Sequence, residues 1–256
     1  MAISEIIKGL LIPFLGTSIG AALVFFIKKE LNGKLVAALC GFSAGVMIAA
    51  AVFSLILPSV ELSQKYYGVK LLAPLVGFFV GAGFMTVIDL IAPEDTDVDS
   101  GGVFRSKNMK MLFFGVTLHN LPEGMAVGIV YAGILSGETA VSLSGAAALS
   151  LGIAVQNIPE GAIISMPLAG LGISKKKACF FGVLSGAVEP VGGLIAVVFF
   201  RIAEFIAPFL LSFAAGAMIF VAIKELVPES ILKSKLIATL AFLLGFILMT
   251  SLDICL

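Results

Sequence analysis

Six consecutive residues, His119-Asn120-Leu121-Pro122-Glu123-Gly124, return 37 positions later as Gln156-Asn157-Ile158-Pro159-Glu160-Gly161. Each copy offers one carboxylate and two neutral donors. On a helix, residues three and four apart share a face. His119 and Asn120 therefore stand over Glu123, and Gln156 and Asn157 over Glu160. Imidazole, amide and carboxylate donors together suit a borderline divalent metal such as Zn²⁺, and Fe²⁺, Mn²⁺ and Cd²⁺ fit the same set. Neither motif contains a thiolate, and mixed neutral and anionic donors favour a site that releases its ion. The prolines add a second element. Pro122 cannot donate to the Leu118 carbonyl, nor Pro159 to that of Val155. We expect a helix break at the same depth in both copies, with freed carbonyls turned to protein, water or a cation. Gly124 and Gly161 let a neighbouring helix come close.

The elements that hold these groups are membrane helices. The 256 residues are 60% hydrophobic and 12% charged, against about 25% charged in a soluble domain, and the mean hydropathy is +1.16. Apolar runs long enough to span a bilayer fall at 6–27, 35–57, 71–91, 109–131, 139–168, 178–200, 205–227 and 236–255. The fold class expected is an all-α polytopic membrane protein of eight helices, a single transporter domain over 1–256 with one loop at 92–108. Lys8 and the apolar run behind it look like a signal sequence, but no small-x-small cleavage site follows, so this run is read as the first span. With both motifs at membrane depth, where ionisable groups usually mark an ion pathway, two carboxylates facing each other across antiparallel helices need a cation or proton between them.

Basic residues orient the bundle. Lys28, Lys29, Lys34, Arg105, Lys107, Lys110, Lys175, Lys176, Lys177, Lys233 and Lys235 follow odd-numbered spans. Only Lys8, Lys65, Lys70 and Arg201 lie on the other side. The positive-inside rule then puts both termini outside the cytoplasm. An internal repeat relates Phe42-Ser43-Ala44-Gly45-Val46-Met47-Ile48 to Phe213-Ala214-Ala215-Gly216-Ala217-Met218-Ile219, with Leu57-Pro58 and Val227-Pro228 ending the two spans. The two spans run in opposite directions, which predicts a 3+2+3 arrangement. Spans one to three and six to eight form an inverted repeat around a central pair, spans four and five. Gly41/Gly45, Gly77/Gly81 and Gly182/Gly186 have small-xxx-small spacing, which packs helices within the monomer and leaves a homodimer open.

The paired motifs, eight spans and a short loop between spans three and four resemble the ZIP (Zrt/Irt-like) metal transporters, in particular GufA-like members. The resemblance covers essentially the whole chain. It implies import of divalent metal into the cytosol through a binuclear centre. One metal position would use His119, Glu123, Gln156 and Glu160, with Met47 nearby. The other would use Asn120, Asn157 and Glu189, with Glu123 and Glu160 bridging both. It also implies that the site-bearing helices move against a scaffold of spans two, three, seven and eight. Glu189 stands before another proline, Pro190, inside span six. Along the pathway, Glu61 lies at the outer end of span two, and Asp89 and Glu225 toward the inner ends of spans three and seven. Lys224 departs from the family pattern and is expected to face Glu225 or the membrane interface. His119 is the only histidine, so no His-rich regulatory loop is present.

Other classes fit less well. There is no P-loop and so no nucleotide-driven pump. The chain is not expected to be an enzyme, because an intramembrane zinc hydrolase needs more histidine than this chain has and shows no HExxH. A metal-gated channel or sensor stays open as the alternative. Zero net charge excludes a basic nucleic-acid surface. Asp95, Asp97 and Asp99 alternate like the start of a calcium loop, but Ser100 and Ser106 replace the turn glycine and the bidentate glutamate, leaving a solvated linker. Cys40, Cys179 and Cys255 read as separate reduced thiols. No prosthetic group is expected, only transported metal. The partners are divalent ions and the bilayer, and the compact chain fits a prokaryotic inner membrane.

Overall fold

The computed structural model describes residues 3–27, 32–91, 107–137, 142–170 and 172–255, without the side chains of 107–112, 119 and 255. The acidic stretch at 95–99, Arg105 and the basic pair Lys28 and Lys29 lie outside the described residues. Among the described residues the chain is helical and contains no strand. Eight long rods follow one another: α1 (Ile3–Phe26), α2 (Gly33–Tyr67), α3 (Leu72–Ile91), α4 (Lys107–Ser136), α5 (Leu143–Gly170), α6 (Lys175–Val198), α7 (Phe200–Lys233) and α8 (Lys235–Cys255). Seven are long and apolar enough to cross a membrane by length and composition. The remaining one, α4, is 30 residues long, about 45 Å at 1.5 Å per residue. Lys107, Asn108, Lys110, His119, Asn120 and Glu123 dilute its apolar character. Large apolar side chains such as Phe79, Leu90, Leu236 and Ile254 cover the outside, as expected of a surface solvated by lipid.

Proline does not act where the sequence led us to expect it. Pro122 and Pro159 lie inside helices that continue through them. One lost hydrogen bond is carried by intact bonds on either side, so the expected breaks at the motifs are absent. The irregularities are elsewhere. In α2 the turn Ala51–Ile56 is a π-helix, and Leu57 N–H donates to Val52 C=O just before Pro58. In α7, Ala222–Leu226 is also π, and Val227 N–H donates to Ala222 C=O just before Pro228. A wider turn accommodates the proline ring and often marks a functional region. The third irregularity separates Lys175–Gly186 from Val188–Val198 in α6, immediately before Glu189 and Pro190.

Glycine sets which helices touch. The α-carbon of Gly45 sits against the Phe242 carbonyl, and that of Gly245 against the Phe42 carbonyl, joining α2 to α8. Gly81 against the Phe213 carbonyl and Gly216 against the Phe78 carbonyl join α3 to α7 in the same manner. Gly161 rests on the Thr17 carbonyl and Gly20 on that of Ile158, joining α1 to α5; Gly124 rests on the Glu189 carbonyl and Gly192 on that of Leu121, joining α4 to α6. None of these positions has room for a β-carbon. The largest apolar core lies where α2, α5 and α7 meet, around Met47, Leu55, Ile163, Ile164, Leu168, Met218 and Leu226.

Candidate metal centre

The two motifs are brought together in the bundle interior. Asn120, Asn157, Glu160 and Glu189 are fully buried, and Gln156 and Glu123 nearly so. Gln156 Nε2 donates to Glu123 Oε1 at 2.6 Å, linking the α5 motif directly to the α4 motif. The two asparagines anchor outward instead. Asn120 Nδ2 donates to the Ser185 carbonyl of α6 at 3.0 Å. Asn157 Nδ2 donates to the Pro13 carbonyl of α1 at 3.5 Å. Each of these three amides thus spends its NH₂ group on the protein. The oxygens at the other ends, Asn120 Oδ1, Gln156 Oε1 and Asn157 Oδ1, are buried and receive no donor among the described residues. Buried carbonyl oxygens without donors are costly. Carbonyl and carboxylate oxygens are donors that suit divalent cations.

Three carboxylates from three helices share this interior: Glu123 on α4, Glu160 on α5 and Glu189 on α6. Glu189 occupies the first turn after the α6 break, where exposed N–H groups favour an anion. Thr17 Oγ1 donates to its Oε1 at 2.8 Å. Low dielectric makes several carboxylates in one bundle unfavourable unless cations or protons accompany them. Among the described residues no three His, Cys, Asp or Glu side chains form a ready-made cluster. The described donor set is instead carboxylate and amide oxygen. His119 is on α4 next to Asn120, and its side chain lies outside the described residues.

A cavity of about 260 Å³ opens onto this region between α2, α4, α5 and α8. Glu123 and Gln156 line it on one side, and Ser54 and Asp253 on the other. Ser54 Oγ donates to Asp253 Oδ1 at 2.6 Å. The π-turn of α2 carries Phe53, Ser54 and Leu55 into the cavity wall. Sequence reasoning missed Ser54, Asp253 and Thr17; each is a polar residue in a mostly apolar span with no motif around it.

Met47 is fully buried in the apolar core of α2, and its neighbour Val46 lines the small gap beside Gln156. Glu61 is exposed on the last part of α2 and does not line the large cavity. Glu225 is buried within the α7 π-turn. Asp89 of α3 is ion-paired with Lys224 of α7, and the Lys224 ammonium also lies 5.5 Å from the centre of the Phe220 ring. The cation we expected to face Glu225 or the interface thus has its partner on another helix. Cys40 and Cys179 are free thiols.

Known proteins are similar to this chain in sequence. Residues 97–253 match the family model described as ZIP Zinc transporter. Zinc transporter ZIP11 of Xenopus tropicalis is 32% identical, over 93% of this chain and 93% of its own. Zinc transporter GufA of Myxococcus xanthus is 33% identical, over 94% and 95%. Zinc transporter ZIPB of Bordetella bronchiseptica is 32% identical, over 94% of this chain and 77% of its own. This is a family of transporters and not of enzymes. With both motifs inside the matched segment and relatives aligned over most of their length, this chain belongs to the ZIP zinc transporter family.

Proposed function

We propose that this protein carries divalent metal, zinc foremost, into the cytoplasm through a two-metal site built from the paired motifs. The observation that carries this reading is the Gln156–Glu123 bond joining the motifs, together with the three buried amide oxygens that await a cation. His119, Glu123, Gln156 and Glu160 would hold one ion, with Met47 close by. Asn120, Asn157 and Glu189 would hold the other, and Glu123 and Glu160 bridge both. The cavity edged by Ser54 and Asp253 is the outer approach, and Glu225 lies on the inner route. Asp89, already engaged by Lys224, keeps the α3–α7 pair together. Glu61 acts at most as a surface attractor.

The eight rods cross the membrane as an inverted repeat with both termini outside. What supports the repeat is a set of matched contacts. Gly45 on Phe242 and Gly245 on Phe42 correspond to Gly216 on Phe78 and Gly81 on Phe213. Gly161 on Thr17 and Gly20 on Ile158 correspond to Gly124 on Glu189 and Gly192 on Leu121. Each of the two π-turns precedes a proline in its half. Transport proceeds by alternating access: α1, α4, α5 and α6 carry the site past α2, α3, α7 and α8. The compact chain fits a prokaryotic inner membrane.

Uptake of Zn²⁺ into proteoliposomes tests the reading. Glu123→Ala should lower it by on the order of 100-fold or more, since even residues that only support a metal ligand cost 10–100-fold. Fe²⁺, Mn²⁺ and Cd²⁺ as competitors rank the substrates. Wild-type uptake by folded Glu123→Ala protein would sink the shared site.

A further inference from the structure

We propose that Thr17 of α1 is a positioning residue for Glu189, holding its carboxylate in the orientation that binds metal. The inference deepens the metal-site reading above and rests on it.

A buried serine or threonine on a helix ordinarily bonds back to its own backbone. The neighbour Ser18 does so, donating to the Phe14 carbonyl, and Thr117, Ser136 and Ser150 repeat the pattern on their own helices. Thr17 departs from it. The carbonyl four residues before it, that of Pro13, accepts from Asn157. The Thr17 hydroxyl instead crosses to α6 and donates to Glu189 Oε1 at 2.8 Å, with both residues fully buried. A bond from hydroxyl to carboxylate in a dry interior is charge-assisted and directional. Gly186 makes the reach possible, since a β-carbon there would lie 2.7–2.9 Å from the Thr17 side chain.

The repeat gives this contact its meaning. Pro13, Thr17 and Gly20 of α1 stand 172 positions before Ser185, Glu189 and Gly192 of α6, the same separation as the bonded pair itself. The Pro13 carbonyl accepts from Asn157 as the Ser185 carbonyl accepts from Asn120. The Thr17 carbonyl meets Gly161 as the Glu189 carbonyl meets Gly124. Thr17 therefore occupies the place that Glu189 occupies in the other half. One half of the centre supplies a carboxylate, and the other supplies a hydroxyl that fixes it.

The test is Zn²⁺ uptake kinetics in proteoliposomes for wild type, Thr17→Val, Thr17→Ser, Glu189→Ala and the Thr17→Val/Glu189→Ala double variant. Circular dichroism in detergent confirms folding. Valine keeps the shape and loses the hydroxyl, so KM for Zn²⁺ should rise about tenfold, with maximal rate changed less than twofold. Serine should restore most of the lost affinity, and Thr17→Val should add nothing once Glu189 is alanine. The proposal is overturned by an unchanged KM in Thr17→Val, by equal impairment in the valine and serine variants, or by a Thr17→Val effect that persists in full without Glu189. If Glu189→Ala itself keeps the wild-type KM, the metal-site reading of Glu189 falls with it. If Glu189→Ala loses affinity and Thr17→Val does not, only the positioning role falls. Should Thr17→Val not fold, Thr17→Ala takes its place in the same cycle.

Discussion

The helices fall into two sets of four that are built alike and filled differently. In α1, α4, α5 and α6, and again in α2, α3, α7 and α8, glycines press one helix backbone against another. Among the glycines whose contacts are described, those in backbone contact with a different helix make that contact within their own set. Between the sets, Gly115 of α4 lies against the side chain of Val221 in α7. Backbone contact locks register, whereas a surface of side chains can slide and repack. The first set buries Asn120, Glu123, Gln156, Asn157, Glu160 and Glu189. The second buries Glu225 in the α7 π-turn, pairs Asp89 with Lys224 and bonds Asp253 to Ser54. Glycine contacts thus tie each set together within itself, which is the division that the proposed alternating-access movement requires.

The largest expected effect comes from joining the two bodies. At Gly115 a β-carbon would lie 3.2 Å from Cβ of Val221, so parting the helices by a few tenths of an ångström reaches the roughly 3.5–4.5 Å Cβ separation of a disulfide. Gly115→Cys with Val221→Cys, in protein lacking Cys40, Cys179 and Cys255, should take up Zn²⁺ when reduced. Oxidation should bring uptake to background, and reductant should restore it. Full uptake by oxidised protein, with the bond confirmed by mass spectrometry, would mean that the bodies do not move past each other.

The next effect concerns what makes each body rigid. Gly81→Leu has no room beside the Phe213 carbonyl and should cost about 1–3 kcal/mol by overpacking. Gly83, two residues along α3, meets nothing within 4 Å, and Gly83→Leu should stay within about 0.5 kcal/mol of wild type. Thermal unfolding in detergent followed by circular dichroism separates the two. Equal midpoints would break the claim that backbone contact holds α3 to α7.

Much of this division was legible in the chain itself. The motif pair, the small-xxx-small glycines and the echo of 42–48 in 213–219 all depend on short-range spacing, and the structure places each at a helix contact. What escaped are groups whose meaning depends on a distant partner. Thr17 is indistinguishable in sequence from Ser18, although one bonds across to α6 and the other back to its own helix. Asp253 stands 199 residues from the Ser54 that donates to it. Proline misled in the other direction. Pro122 and Pro159 remain within continuous helices, whereas Pro58 and Pro228 follow widened turns. The rule that proline removes a donor is local, but whether the helix opens depends on neighbours that hold it straight.

The smallest effect tests whether the second set is electrostatically self-contained. The Lys224 side chain is 37% exposed and that of Asp89 is 16% exposed, so their pair is worth only about 1 kcal/mol. Lys224→Met leaves Asp89 without this partner and should lower thermal stability by that amount. Adding Asp89→Asn removes the charge that has lost its Lys224 partner and should recover most of it, because a neutral pair in an apolar setting replaces an ionic one with little net change. Through both steps the KM for Zn²⁺ should change less than twofold on the proposed division, which gives the pair to the scaffold. A larger KM change in Lys224→Met that Asp89→Asn does not reverse would instead place Lys224 beside the metal route. The two bodies would then share the electrostatic control of transport, and the contrast in their polar content would no longer separate cargo carrier from scaffold.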